Sequence, residues 1–161
     1  MPDPAPKPRF CIDTSAWLDG RLRYYPPDVF PSLWAVIEQC LSNNLLCSPD
    51  EVYREMEKKD DEVYAWIKDR KKKLLIPLDD DIQTIVIELL QKYPRLVDDS
   101  KNRSTADPFV IATAICRKCV VVTGERRTNK IEKPRIPDVC DRVGVKTITF
   151  LEMVRALGAK F

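Results

Sequence analysis

The chain predicts an α/β fold, a three-layer α/β/α sandwich around a central parallel sheet. Short apolar runs at residues 10–12, 45–47, 74–77, 120–123 and 146–149 alternate with longer segments whose apolar residues recur at helical spacing. At 161 residues the chain has the size of one domain with a single core. The first apolar run, Phe10-Cys11-Ile12, stops at Asp13 and is followed at once by Thr14 and Ser15. An Asp at the carboxyl end of a buried strand lies where open parallel sheets bind their ligands.

In chain order, residues 1–8 carry Pro2, Pro4, Pro6 and Pro8 and read as an extended, flexible leader, with residues 9–161 as one domain. A short helix starts near Ser15 and is broken by Tyr25-Pro26-Pro27. From Pro31, Leu33, Trp34, Ile37, Cys40 and Leu41 fall on one helical face, and Asn43-Asn44 ends it. Ser48-Pro49-Asp50-Glu51 reads as a capping box with Pro in the first turn, which assigns Glu51 to structure. Residues 62–73 and 79–93 predict amphipathic helices. The polar stretch 98–105 predicts a loop, and Pro108 suits the first turn of the helix that follows. Val120-Val121-Val122-Thr123 is the clearest strand, and short helices are expected at 138–143 and 150–157.

Composition narrows the function classes. With 44% apolar and 32% charged residues the chain reads as soluble and globular. No apolar run approaches the roughly 20 residues of a membrane helix, and the leader is unlike a signal peptide, so a cytoplasmic protein is expected. Cys11, Cys40, Cys47, Cys116, Cys119 and Cys140 lie mostly in apolar surroundings, as reduced core cysteines do. Cys116-Arg-Lys-Cys119 has zinc-like spacing, but there is no second such pair and no histidine, which argues against structural zinc. The net charge of +2 is uninformative about partners. Lys68, Arg70, Lys71, Lys72 and Lys73 form one basic cluster, and Arg126, Arg127, Lys130, Lys133 and Arg135 another. Each alone reads as a solvated face, although the second directly follows Glu125.

Four acids occupy equivalent places: Asp13 after the first strand, Glu55 on the helix after the second, Asp107 at a helix start and Glu125 after the valine strand. Singly, Asp13 and Asp107 read as helix caps and Glu55 as a solvated helix residue. Together, unpaired carboxylates repel one another unless a divalent cation neutralises them. Oxygen ligands without His or Cys favour Mg²⁺ or Mn²⁺, and phosphodiester hydrolysis is the natural chemistry.

Cys11-Ile12-Asp13-Thr14-Ser15-Ala16, Val52-Tyr53-Arg54-Glu55-Met56, Ala106-Asp107-Pro108-Phe109-Val110-Ile111-Ala112 and Val120-Val121-Val122-Thr123-Gly124-Glu125, in this order, resemble the motifs of PIN-domain nucleases. That family includes the VapC-type toxin ribonucleases of prokaryotic toxin–antitoxin systems. The resemblance covers residues 9–155 and implies a PIN-like fold with Asp13, Glu55 and Asp107 as acidic site residues. The fourth family position is usually Asp or Asn; here it is Glu125, with Asp138 as a substitute or supplement. The implied function is a metal-dependent endoribonuclease holding Mg²⁺ or Mn²⁺, with RNA as substrate, an antitoxin protein as partner and a homodimeric state. Thr14, Ser15 and Thr123 would orient carboxylates or phosphate oxygens, and the loop carrying Arg126 and Arg127 would grip the RNA backbone. The alternative is a catalytically degenerate binding module on the same fold. A haloacid-dehalogenase phosphatase would need Asp where Ser15 stands, and a DxSxS adhesion site would need a ligand where Trp17 stands.

Overall fold

The computed structural model describes residues 9–59, 61–97 and 105–158. Its centre is a sheet of five short strands: β1 (Phe10–Ile12), β2 (Leu46–Pro49), β3 (Leu75–Ile76), β4 (Val120–Val122) and β5 (Thr147–Ile148). All neighbours are parallel, in the order β3-β2-β1-β4-β5. Phe10, Cys11, Ile12, Val121 and Val122 are buried, the near-continuous apolar run of strands covered on both faces. The helices are α1 (Thr14–Leu18), α2 (Pro31–Ser42), α3 (Asp50–Glu57), α4 (Glu62–Lys68), α5 (Lys71–Leu74), α6 (Asp80–Lys92), α7 (Asp107–Arg117), α8 (Ile136–Val143) and α9 (Phe150–Ala156). The result is the expected three-layer, PIN-like α/β/α fold. Among the described residues no helix is long and apolar enough to cross a membrane.

From β1 the chain builds outward through β2 and β3, then returns past β1 to build β4 and β5 on the other side. The strand order therefore reverses between β1 and β4, which opens a crevice beyond their carboxyl ends. Ile12 is in register with Val122, and the Asp13 amide donates to the Val122 carbonyl at 3.0 Å, so Asp13 and Thr123 leave the sheet side by side.

α7 packs along β1, β2 and β4, with the Cys11 thiol donating to the Val110 carbonyl of that helix. Away from it, Trp17, Trp34 and Trp66 cluster with both contacting ring pairs 5.3 Å apart. The buried Arg21 guanidinium lies 4.6 Å from the Trp34 ring and 4.7 Å from that of Trp66, and its Nε donates to Glu62 at 2.7 Å. Arg21 belongs to a π-helical stretch, Asp19–Tyr24, that continues α1.

Three expectations need correction. Ser48-Pro49-Asp50-Glu51 forms no capping box: Ser48 and Pro49 extend β2 by pairing with β3, and Pro49 is the N-cap of α3 with no side-chain cap bond. The Ser48 hydroxyl is buried, donating to the Ile12 carbonyl at 2.6 Å and accepting from Trp17 Nε1 at 2.9 Å. The single helix expected at 62–73 is split into α4 and α5, because Arg70 leaves helical geometry to lie on the Trp66 ring and donate to the Trp66 carbonyl. α8 begins at Ile136, two residues early, because the Glu125 carboxylate accepts from the Ile136 amide and Asp138, within the helix, reaches back to the Arg135 amide. The leader at 1–8 and most of the polar loop, 98–104, lie outside the described residues.

Candidate active site at the β1–β4 crevice

Asp13 is both a cap and a crevice residue. Its Oδ1 accepts from the Ala16 amide at 2.7 Å, which starts α1, and from the Ser15 hydroxyl at 2.8 Å. Its Oδ2 accepts from the Thr123 hydroxyl at 2.5 Å. Asp13 is 3% exposed. Burial pushes its pKa up to about 7 against the pull of the Thr123 hydroxyl and the Ala16 amide; the nearby Glu125 charge pushes the same way as burial, and Ser15 pulls down. Every direct donor to this carboxylate is neutral.

Glu55 ties the next two motifs together. It accepts from the Thr14 hydroxyl at 2.7 Å on one oxygen and from the Ala106 amide at 2.8 Å on the other. The Thr14 hydroxyl thus orients the Glu55 carboxylate. The residue after Ala106 is Asp107, buried, which begins α7 with Pro108 behind it. The N-cap of α7 is Ala106, with no side-chain cap bond, so the cap reading of Asp107 does not hold. Glu51, released from its supposed box, is half-buried one turn before Glu55, and burial raises its pKa.

The loop after β4 is built differently. The Glu125 amide donates to the Thr123 hydroxyl at 3.0 Å, while its carboxylate accepts from the Ile136 amide at 3.0 Å and caps the first turn of α8. Asp138 accepts from the Arg135 amide at 2.8 Å, the Asn129 amide at 2.9 Å, and the amide and hydroxyl of Thr128 at 3.0 Å. Burial opposes its ionisation, but these donors outweigh it and the pKa is lowered. Asp138 therefore organises the loop. Arg127 is held by Asp141 through two bonds of 2.6 and 2.8 Å, whereas Arg126 is exposed and makes no ion pair among the described residues.

One acid was missed in the sequence. A Cβ on Gly124 would come 2.2 Å from Asp19 Oδ2 and 3.3 Å from the Ser15 hydroxyl, so the Asp19 carboxylate occupies the space a side chain at 124 would fill. The Gly124 amide donates to Ser15 at 2.9 Å, and Asp19 pairs with Arg23 at 2.8 Å. The available signal was spacing: Asp19 follows Ser15 by four residues, one helical turn.

Residues 10–161 match a family model described as a domain of unknown function, DUF4411. The chain belongs to the DUF4411 family. No curated protein matches it. Among solved structures it is similar to a chain of the crystal structure of DNA-bound VapBC from Salmonella typhimurium, with a TM-score of 0.53 and 14% identity over 89% of this chain and 98% of that one. At that identity the likeness is one of fold.

In this DUF4411 chain hydrogen bonds tie the Asp13 carboxylate to Thr123 and the Glu55 carboxylate to Thr14 and to the amide that precedes Asp107, and the Glu125 charge acts on Asp13. The donor set is all oxygen and suits a hard divalent cation, and the raised pKa of Asp13 marks a buried charge without a positive partner. Among the described residues no three acid, cysteine or histidine side chains stand in a ready-made metal cluster.

Proposed function

We infer that this protein is a metal-dependent endoribonuclease acting on RNA phosphodiester bonds, the toxin component of a toxin–antitoxin pair. The observation that supports the reading is the set of Asp13–Thr123 and Thr14–Glu55–Ala106 hydrogen bonds, which links the Asp13 and Glu55 motifs to the segments that carry Glu125 and Asp107. Asp13, Glu55 and Asp107 are the residues that would hold Mg²⁺ or Mn²⁺, with Glu125 as a further acid. When bound, such an ion activates water and stabilises charge developing on a phosphate. Ser15 and Thr123 orient the Asp13 carboxylate, and Arg126, exposed next to Glu125 in the chain, would meet a substrate phosphate. An antitoxin protein and a second copy of the chain are the partners this reading implies, and a cytoplasmic setting goes with it.

The second reading, a degenerate binding module, is favoured by the Glu125 carboxylate being committed to the Ile136 amide. Purified protein incubated with mixed RNAs and Mn²⁺ or Mg²⁺, beside an EDTA control, separates the two. The nuclease reading expects cleavage only with metal. Because losing an outer partner of a metal ligand already costs roughly 10–100-fold, Asp107→Asn should lower the rate by at least about 100-fold. Mn²⁺ should raise the melting temperature of the wild type more than that of Asp107→Asn. Equal shifts and retained cleavage in the variant would remove Asp107 from the site.

A further inference from the structure

The π-helical stretch Asp19–Tyr24 is pinned on several sides. The Tyr25 amide donates to the Gly20 carbonyl, five residues back, at 3.0 Å, a wide turn of the kind that recurs at functional sites. A Cβ on Gly20 would come 2.5 Å from the Phe150 ring, so the backbone there lies directly against α9. Arg21 turns inward to the Trp34 and Trp66 rings and to Glu62. Asp19 turns Oδ2 onto Gly124, whose amide donates to the Ser15 hydroxyl, which in turn donates to Asp13. What this frame holds outward is Arg23. Its Nη1 donates to Asp19 Oδ1 at 2.8 Å, and among the described residues its Nε and Nη2 make no hydrogen bond. The Arg23 side chain is 59% exposed, and the carboxylate that anchors it 19%. Arg127, by contrast, gives both Nε and Nη2 to Asp141.

We propose that Arg23 binds a backbone phosphate of RNA lying in the crevice, with Asp19 as the residue that positions it. This rests on the ribonuclease reading, which supplies the RNA. A carboxylate on one nitrogen fixes the plane of a guanidinium and leaves its other N–H groups as a planar fork, which two oxygens of one phosphate match. Here Nη1 is the anchored nitrogen, and Nε and Nη2 form the fork. Because Asp19 lies against Gly124, the residue between Thr123 and Glu125, the guanidinium stands on the β4 side of the crevice, one side chain removed from that backbone. Aimed donors matter at this place, since the acids Asp13, Glu55, Asp107 and Glu125 would otherwise only repel a polyanion. A pair that served the helix alone would show the same contact, but it would leave RNA binding indifferent to Arg23.

The test is binding of a labelled mixed-sequence oligoribonucleotide by the full chain in EDTA, where no metal-dependent cleavage occurs, over a series of salt concentrations. Arg23→Gln should weaken binding by about tenfold and reduce the log–log salt slope by about 1. Arg23→Lys, which keeps the charge and loses the fork, should weaken binding a few-fold with the slope unchanged. Arg95→Gln, which removes the same charge from an exposed turn, should bind as the wild type does. In an Asp19→Ala background the Arg23→Gln loss should shrink to about threefold or less, which support of the helix alone would not produce. Melting temperatures confirm that the variants fold. Unchanged affinity in Arg23→Gln, an equal loss in Arg95→Gln, the same Arg23 loss with and without Asp19, or no RNA binding by the wild type would each overturn the proposal. Cleavage by the wild type in Mn²⁺ reports on the other reading separately. Arg23-dependent binding without cleavage would end the nuclease reading alone, and cleavage with Arg23-independent binding would end the Arg23 assignment alone.

Discussion

Asp13 and Asp138 are both buried aspartates near the carboxyl edge of the sheet, and their charges are treated in opposite ways. Asp13 has two hydroxyls and one amide around it, and burial wins, lifting its pKa to about 7. Asp138 has three amides and a hydroxyl, the donors win, and its pKa falls. Their surface exposure is similar, at 3% and 9%, but Asp13 lies deeper in the protein than Asp138, so depth of burial separates them together with the number and kind of donors. Asp138 is satisfied by amides of its own loop, while the neutral donors around Asp13 do not offset its burial.

The contrast is sharpest in the pH dependence of stability without metal. The folded pKa of Asp13 is raised from 3.8 to about 7, so its contribution is fully present below pH 3.8 and is lost as pH rises through about 7. Three pKa units correspond to about 4 kcal/mol as an upper figure. Asp13→Asn in EDTA should abolish this decline and be the more stable protein at pH 8 by urea unfolding; a parallel decline in both proteins would show that Asp13 is not the origin. Asp138 has the opposite sign, with stability present above pH 3.8 and lost as pH falls through its lower folded value. Asp138→Asn should therefore cost about 2–3 kcal/mol at pH 7, measured in the same way, and progressively less in acid. Equal stability at pH 7 would erase the distinction between the two aspartates.

Smaller effects test the rims of the two regions. Gly124→Ala drives a methyl onto the Asp19 carboxylate and should cost about 1–2 kcal/mol. In an Asp19→Ala background that cost should vanish, and additive losses in the double-mutant cycle would deny the contact. Arg127→Ala breaks an exposed pair with Asp141 and should change thermal stability by less than about 1 kcal/mol. A larger loss would mean that Arg127 shares the organising role of Asp138.

Short apolar runs and period-3.6 patterns were enough to locate the strands, the order of elements and the three layers, because buried parallel strands leave continuous apolar runs between amphipathic helices. Asp13 and Asp107 were legible as acids at strand and helix ends. Ser48 was not, since a serine before Pro-Asp-Glu looks like a cap until the sheet shows its hydroxyl between Ile12 and Trp17. Glu125 and Asp138 were legible as acids but not as caps of α8, because their partners at 128–136 are backbone amides, which carry no signature in the sequence. Asp19 was hidden by the π-helical stretch that starts at it, and its contact with Gly124 joins positions 105 apart, a pairing that only the β1–β4 register creates.

The indole cluster also makes the protein its own optical reporter. Trp66 contacts both other tryptophans of the chain, Trp17 and Trp34, so intrinsic emission arises from one small volume. Trp17 lies on the short helix that Asp13 caps, with its indole nitrogen anchored to β2 through Ser48. Any event that pulls the Asp13 carboxylate away from the Ala16 amide acts on that helix and hence on the fluorophore behind it. A displacement of the Asp13 carboxylate is therefore readable without a label, and the signal comes from beside that aspartate rather than averaged over the molecule.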